Sequence, residues 1–163
     1  MRAMARERGA DEELWGVTGL LHDADYEQHP DMDDEVAGHP RTILAELRDR
    51  DAPPEMINAI AGHAPYLGVA RESDIAKCLY AVDELSGFVV ACAVVRPEGV
   101  NGMAPKSVKK KLKQPSFAAA VNRDDIRVGA EELGIEQDAL ITIVISALQA
   151  EADVLELNRS APV

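Results

Sequence analysis

The sequence predicts an all-α protein. Apolar residues recur at helical spacing from near one end of the chain to the other. No series of alternating strands and no repeat of fixed period interrupts them, and the segments begin and end at residues that cap helices. A chain of 163 residues that is 47% hydrophobic and 28% charged, with only 11 Gly and 9 Pro, is long and apolar enough to bury a core without disulfide staples.

Taken in order, Arg2 to Arg8 forms a short opening segment that Gly9-Ala10 closes. Asp11 is the expected N-cap of a second helix, in which Leu14, Trp15, Thr18, Leu21 and His22 recur at helical spacing and which ends near His22-Asp23. Asp25 to Asp33 is acidic, contains Pro30 and lacks an apolar stripe, so it reads as a surface loop of the kind that borders sites. Helix resumes through Ile43, Leu44 and Leu47 and breaks at Asp51-Ala-Pro-Pro. It restarts after the Pro53-Pro54 pair with Met56, Ile57, Ile60 and Ala61, and His63 closes it before Pro65.

The longest element runs from the Ser73/Asp74 cap to about Val95, where Arg96-Pro97-Glu98-Gly99 stops it, and its apolar content makes it a buried helix. Beyond it the sequence predicts a Gly/Asn loop, a lysine-rich turn from Lys106 to Lys113 and a short helix near Phe117. Two more helices follow, from Asp124 to Leu133 and from about Glu136 to Leu157. Ile141-Thr-Ile-Val-Ile has the β-branched composition of a strand, but its flanks are helix formers of good length, so it is assigned to a buried helix.

The 17 Lys+Arg against 29 Asp+Glu give a formal net charge of −12, a field that repels phosphate backbones and anionic lipid and so argues against nucleic-acid and membrane partners. No apolar run approaches the roughly 20 residues that span a bilayer, and Asp11, Glu12 and Glu13 interrupt any secretory pattern, so a cytoplasmic location is expected. Cys78 and Cys92 fall on one predicted helix about 21 Å apart, too far for a disulfide.

All four histidines precede residue 64, and three stand at or near predicted helix ends: His22 beside Asp23, His39 before Pro40 and His63 before Ala64-Pro65. A neighbouring His-Asp pair can direct an imidazole nitrogen and a carboxylate oxygen to one metal. Asp83 interrupts the long apolar helix between Leu79, Tyr80, Ser86, Gly87 and Val90, and burial there would cost several kcal/mol, roughly, without a cation or strong donors. This mixture of imidazole and carboxylate suits Mn, Fe, Co, Ni, Zn or Mg, one or two ions per chain. Among the lysines, Lys106 follows Pro105 at a helix start where anions bind, with Arg123 a weaker candidate for the same role.

The ordered set Gly19-Leu-Leu-His22-Asp23-Ala-Asp-Tyr-Glu, His39-Pro, Ala59-Ile-Ala-Gly-His63-Ala and Leu79-Tyr-Ala-Val-Asp83-Glu-Leu-Ser-Gly87, with intervals of 16, 24 and 20, resembles the HD-domain superfamily of metal-dependent phosphohydrolases. Arg96-Pro, Lys106-Ser-Val-Lys-Lys-Lys, Phe117-Ala and Asn122-Arg123 are similar to a bacterial HDIG-type branch whose members are mostly described as predicted hydrolases.

The resemblance implies a helical bundle forming a single HD domain over 1–163, with a metal-site core at about 11–95 and a C-terminal helical extension at about 104–158. It implies that Asp23 bridges two metals, that His22 and Asp83 complete one site, and that His39 and His63 hold the other. Asp23, His63 and Lys106 would then serve the hydrolysis of a small phosphorylated molecule, nucleotides included, by a metal-activated hydroxide. The superfamily usually carries a further histidine roughly two dozen residues before the His-Asp pair. Here that position falls before Met1, so either the start is set late, which is the favoured expectation, or a ligand is lost and His29 is a potential substitute. Two alternatives follow from the same scaffold, a di-iron oxygenase and a degenerate module that senses or binds.

Overall fold

The computed structural model describes residues 1–158, which contain eight α-helices, a single turn of 3-10 helix and no strand, the architecture of an HD-domain helical bundle. The chain divides into two compact units, a first over Met1–Tyr80 and a second that begins at Ala81. Among the described residues, no single helix is long and apolar enough to cross a membrane.

In the first unit, α1 (Arg2–Arg8) ends at Gly9, whose φ of 63° is the left-handed geometry that favours glycine after a helix. The second helix, α2 (Glu12–Leu21), starts where the sequence places it: the Asp11 carboxylate accepts the N–H groups of Glu13 and Leu14 at 2.9 and 3.0 Å. Ile43, Leu44 and Leu47 turn inward from α3 (Arg41–Asp49), and Met56, Ala59 and Ile60 do so from α4 (Pro54–His63), which begins on a proline whose missing N–H costs nothing there. Both α2 and α3 pack on α4. After a 3-10 turn at Pro65–Leu67 comes α5 (Asp74–Val94), started by Ser73, whose hydroxyl oxygen accepts from the Ala76 N–H at 3.4 Å.

The second unit takes up α5 and adds α6 (Pro105–Leu112), α7 (Arg123–Leu133) and α8 (Gln137–Ala150) around Leu85, Phe88, Val89, Val108, Ile126, Leu140 and Ile141. A Cβ on Gly129 of α7 would lie 2.6 Å from the Ala81 Cα, so only glycine permits this approach to α5. The β-branched run Ile141–Ile145 is helical, as expected.

Three expectations are corrected here. The lysine-rich stretch is the helix α6 and not a turn, because Pro105 occupies its first turn and Val108 anchors it in the core. Residues 115–120 are turns and not a short helix. The Arg123 guanidinium donates to the carbonyls of Gln114, Phe117, Ala118 and Val121, and Ala118 sits at φ 43°, a left-handed conformation that interrupts a right-handed helix. Finally, α8 stops at Ala150 instead of about Leu157. The chain turns over 151–156, and the Leu157 carbonyl accepts from the Val100 N–H at 3.1 Å, which buries Leu157 while Val154 stays exposed.

Candidate metal centre

Three element ends of the first unit bring four residues to one cluster. His22 is the C-cap of α2, Asp23 follows it, His39 precedes the proline that caps α3, and His63 is the last residue of α4. Helix ends position side chains without spending a turn of the core on polar atoms, which explains why all three histidines stand there.

Each ring is fixed through its Nδ1. The Nδ1 of His22 lies 2.8 Å from the Gly19 carbonyl, and that of His63 lies 2.5 Å from the Ile60 carbonyl. His39 Nδ1 is 2.6 Å from an oxygen of Asp25. Carbonyls and carboxylates only accept, so Nδ1 carries a hydrogen in all three rings and each ring turns its Nε2 toward the cluster.

Those Nε2 atoms face one another and Asp23. His39 Nε2 and His63 Nε2 are 3.2 Å apart. Asp23 Oδ1 is 3.3 Å from the first and 3.7 Å from the second, while Asp23 Oδ2 is 3.3 Å from His22 Nε2. The rings meet edge to face, with centroids 5.1 Å apart for His22 and His63 and 5.2 Å for His39 and His63.

Two imidazole nitrogens this close need a proton or a metal cation between them. Two imidazoles bound to one metal at about 2.0–2.1 Å place their nitrogens about 3 Å apart, close to the observed gap. The donor set of Asp23, His39 and His63 therefore fits a divalent transition metal, and these ligand atoms all lie within 4.8 Å of one another. Beside it, the His63 ring holds the Asp23 carboxyl below the usual carboxylate range, with His22 and His39 pulling the same way against partial burial.

The cluster is sealed on its histidine side and open on its acid side. His39 and His63 side chains are 5% exposed, His22 is 16% exposed and Asp23 is 51% exposed. Solvent thus meets the carboxylate first.

The sequence puts Asp25 at the start of a surface loop, and the structure gives it a different place. It is buried, with Oδ1 on His39 Nδ1 and Oδ2 accepting from the Ile43 N–H at 2.9 Å, so one carboxylate orients a ligand and caps the first turn of α3. Tyr66, which the sequence did not single out, donates its hydroxyl hydrogen to the His39 carbonyl at 2.7 Å. The only hint of Asp25 in the sequence was an acid two places after the His-Asp pair.

His29 is no substitute ligand: it serves through its backbone, its carbonyl accepting from the His39 N–H at 2.8 Å. Asp83 stands on α5 in the second unit and is half-buried, not enclosed, so full burial no longer argues for a cation there. Lys106 is exposed on the first turn of α6 in the same unit. Arg123 is not an anion site, since its guanidinium is engaged by the carbonyls named above and lies 5.2 Å from the Phe88 ring.

This combination of a helical fold and an imidazole-carboxylate cluster led by a His-Asp pair defines a class of metal-binding helical proteins. The sequence model of the HD domain matches residues 1–87, more than half of the 163 residues, and the chain belongs to the HD-domain family, generally metal-dependent phosphohydrolases. Searches of curated proteins and of solved structures found no match.

Proposed function

We propose that the protein is a metal-dependent hydrolase acting on a phosphoester or phosphoanhydride bond of a small phosphorylated molecule in the cytoplasm. The observation that carries this reading is the 3.2 Å approach of two imidazole Nε2 atoms beside an open carboxylate. A divalent ion bound there supplies a lowered pKa for water and neutralises charge growing on the phosphoryl oxygens.

The chain's own residues do the rest. His39 and His63 stay fixed and dry, and His22 steadies the second oxygen of Asp23. The ionised Asp23 spans the ligand set at the point where solvent enters. Asp83 is carried over from the family pattern as a further ligand, and Lys106 is assigned to the substrate phosphate.

The test is elemental analysis of protein purified without added metal, together with release of phosphate from a generic phosphoester. One or two transition metals per chain with phosphate release are expected, and His63→Ala and Asp83→Ala should each lower both. Full metal occupancy and unchanged turnover in both variants would defeat the assignment. Iron without phosphate release would replace hydrolysis with oxygenase chemistry.

A further inference from the structure

His63 is the last residue of α4, and the four carbonyls that end a helix have no N–H partner within it. Ala64 leaves the helix in extended backbone, at φ −95° and ψ 96°, and among the described residues its N–H returns no bond to α4. A helix end without a backbone cap frays, whereas a metal ligand must hold its nitrogen to within about 0.2 Å. The other two histidines are tied through their own backbones. The His22 N–H reaches the Thr18 carbonyl at 3.1 Å, and His39 donates its N–H to the His29 carbonyl and accepts the Tyr66 hydroxyl on its own.

For His63 the tie comes from Arg71, a half-buried side chain beyond the 3-10 turn. Its Nη1 donates to the Gly62 carbonyl at 2.9 Å, the carbonyl of the peptide group that leads into His63. The guanidinium lies over the Tyr80 ring, 3.7 Å from its centre, and that ring is buried. Such a shelf holds a flat cation in one place. Gly62 permits the approach, since a Cβ there would stand 3.0 Å from the Arg71 Cγ. Gly62, His63, Arg71 and Tyr80 all belong to the first unit.

We propose that Arg71 is a positioning residue of the metal centre, which caps α4 through the Gly62 carbonyl and so fixes the direction of the His63 Nε2. It acts through the peptide group and not as a ligand. Two carbonyls at this helix end then serve one purpose: that of Ile60 sets the rotation of the His63 ring, and that of Gly62 anchors its backbone. The role rests on the metal-binding reading of the cluster and is independent of the reaction that follows.

The experiment loads the full-length protein with cobalt(II), whose visible absorption reports the geometry of its ligands, and measures affinity by competition with a chelator. Arg71→Met keeps the length of the stem and removes the donors. It should weaken cobalt binding about tenfold or more, the range found for groups that orient ligands, and should shift the spectrum of the bound ion at saturation. Arg71→Lys keeps a charge and a donor without the flat fork, and should fall between wild type and Arg71→Met on both readouts. Arg127→Met, an exposed arginine paired with Glu131 on α7, should leave both unchanged. Thermal unfolding of the metal-free proteins measures any loss of fold, and if Arg71→Met does not fold, Arg71→Lys carries the comparison.

Variants that match the wild type within about twofold in affinity, with the same spectrum, overturn the role of Arg71 and leave the metal centre standing. A fall in affinity with an unchanged spectrum also overturns it, because Arg71 then supports only the fold. A wild type that takes up no cobalt removes the metal centre itself and this role with it. Phosphate release on the same preparations reports separately on the hydrolase reading, since neither cobalt readout needs turnover.

Discussion

Asp25 satisfies two buried hydrogens with its two oxygens, one on His39 and one on the Ile43 backbone. Asp25→Asn keeps the shape and removes the charge that makes His39 a stronger donor. Metal affinity should therefore fall about 10- to 100-fold, read by competition with a chelator. Asp25→Ala should also lower stability by about 1–3 kcal/mol, since the Ile43 N–H loses its acceptor in a buried place. The candidate ligand histidines were legible in the sequence because His22-Asp23, His39 before Pro40 and His63 before Ala64-Pro65 sit at helix ends. Asp25 was not, because its partners are 14 and 18 residues away and its burial exists only once the loop folds onto α3. Among the other reactive groups, burial pushes the Cys78 and Cys92 thiols up to about 11. Neither should react appreciably with an alkylating reagent at pH 8 in the native state, while the unfolded chain labels both. Because the folded value is raised, the stability these thiols contribute is whole below about pH 9 and declines as pH rises toward 11.

The elements most exposed to single changes are those held by a missing side chain. A Cβ on Gly38 would stand 1.9 Å from the Asp31 carbonyl oxygen and 2.6 Å from that of Asp34, both backbone atoms that cannot rotate away. Gly38→Ala should cost about 2–3 kcal/mol in denaturant unfolding and weaken metal binding, since the loop that presents His39 must open. Gly129→Ala forces α7 away from Ala81 and should cost about 1–3 kcal/mol without touching metal affinity. Helix positions were read well from the sequence wherever a local cap marks them, as at Asp11, Pro54 and Ser73. Residues 115–120 and 151–157 were misread for one reason: their backbones answer to partners far along the chain, Arg123 in the first case and Val100 in the second. Periodicity registers neighbours and is blind to such ties.

For the molecule as a whole, an ion that binds the folded chain and not the unfolded one adds stability by mass action, about 2.7 kcal/mol at a hundredfold excess over its dissociation constant. For a chain of this length that corresponds to a rise in Tm of roughly 5–10 °C, which a chelator should reverse and which His63→Ala should abolish. Differential scanning calorimetry at stepped metal concentrations checks it, and a Tm indifferent to metal would refute the site. The all-helical class was legible from end to end, whereas the division at Tyr80 and Ala81 was not, because it falls inside α5, where composition and periodicity run on unchanged. The uneven sealing of the metal centre also sets the order in which it can be emptied. Its imidazoles are 5% to 16% exposed and its carboxylate 51%, so an ion held there would be reached from the Asp23 side, ahead of the histidines. Unloading is then a sequential process whose rate follows the size of the scavenger that must reach in past Asp23, and small chelators should strip the protein faster than bulky ones of equal affinity.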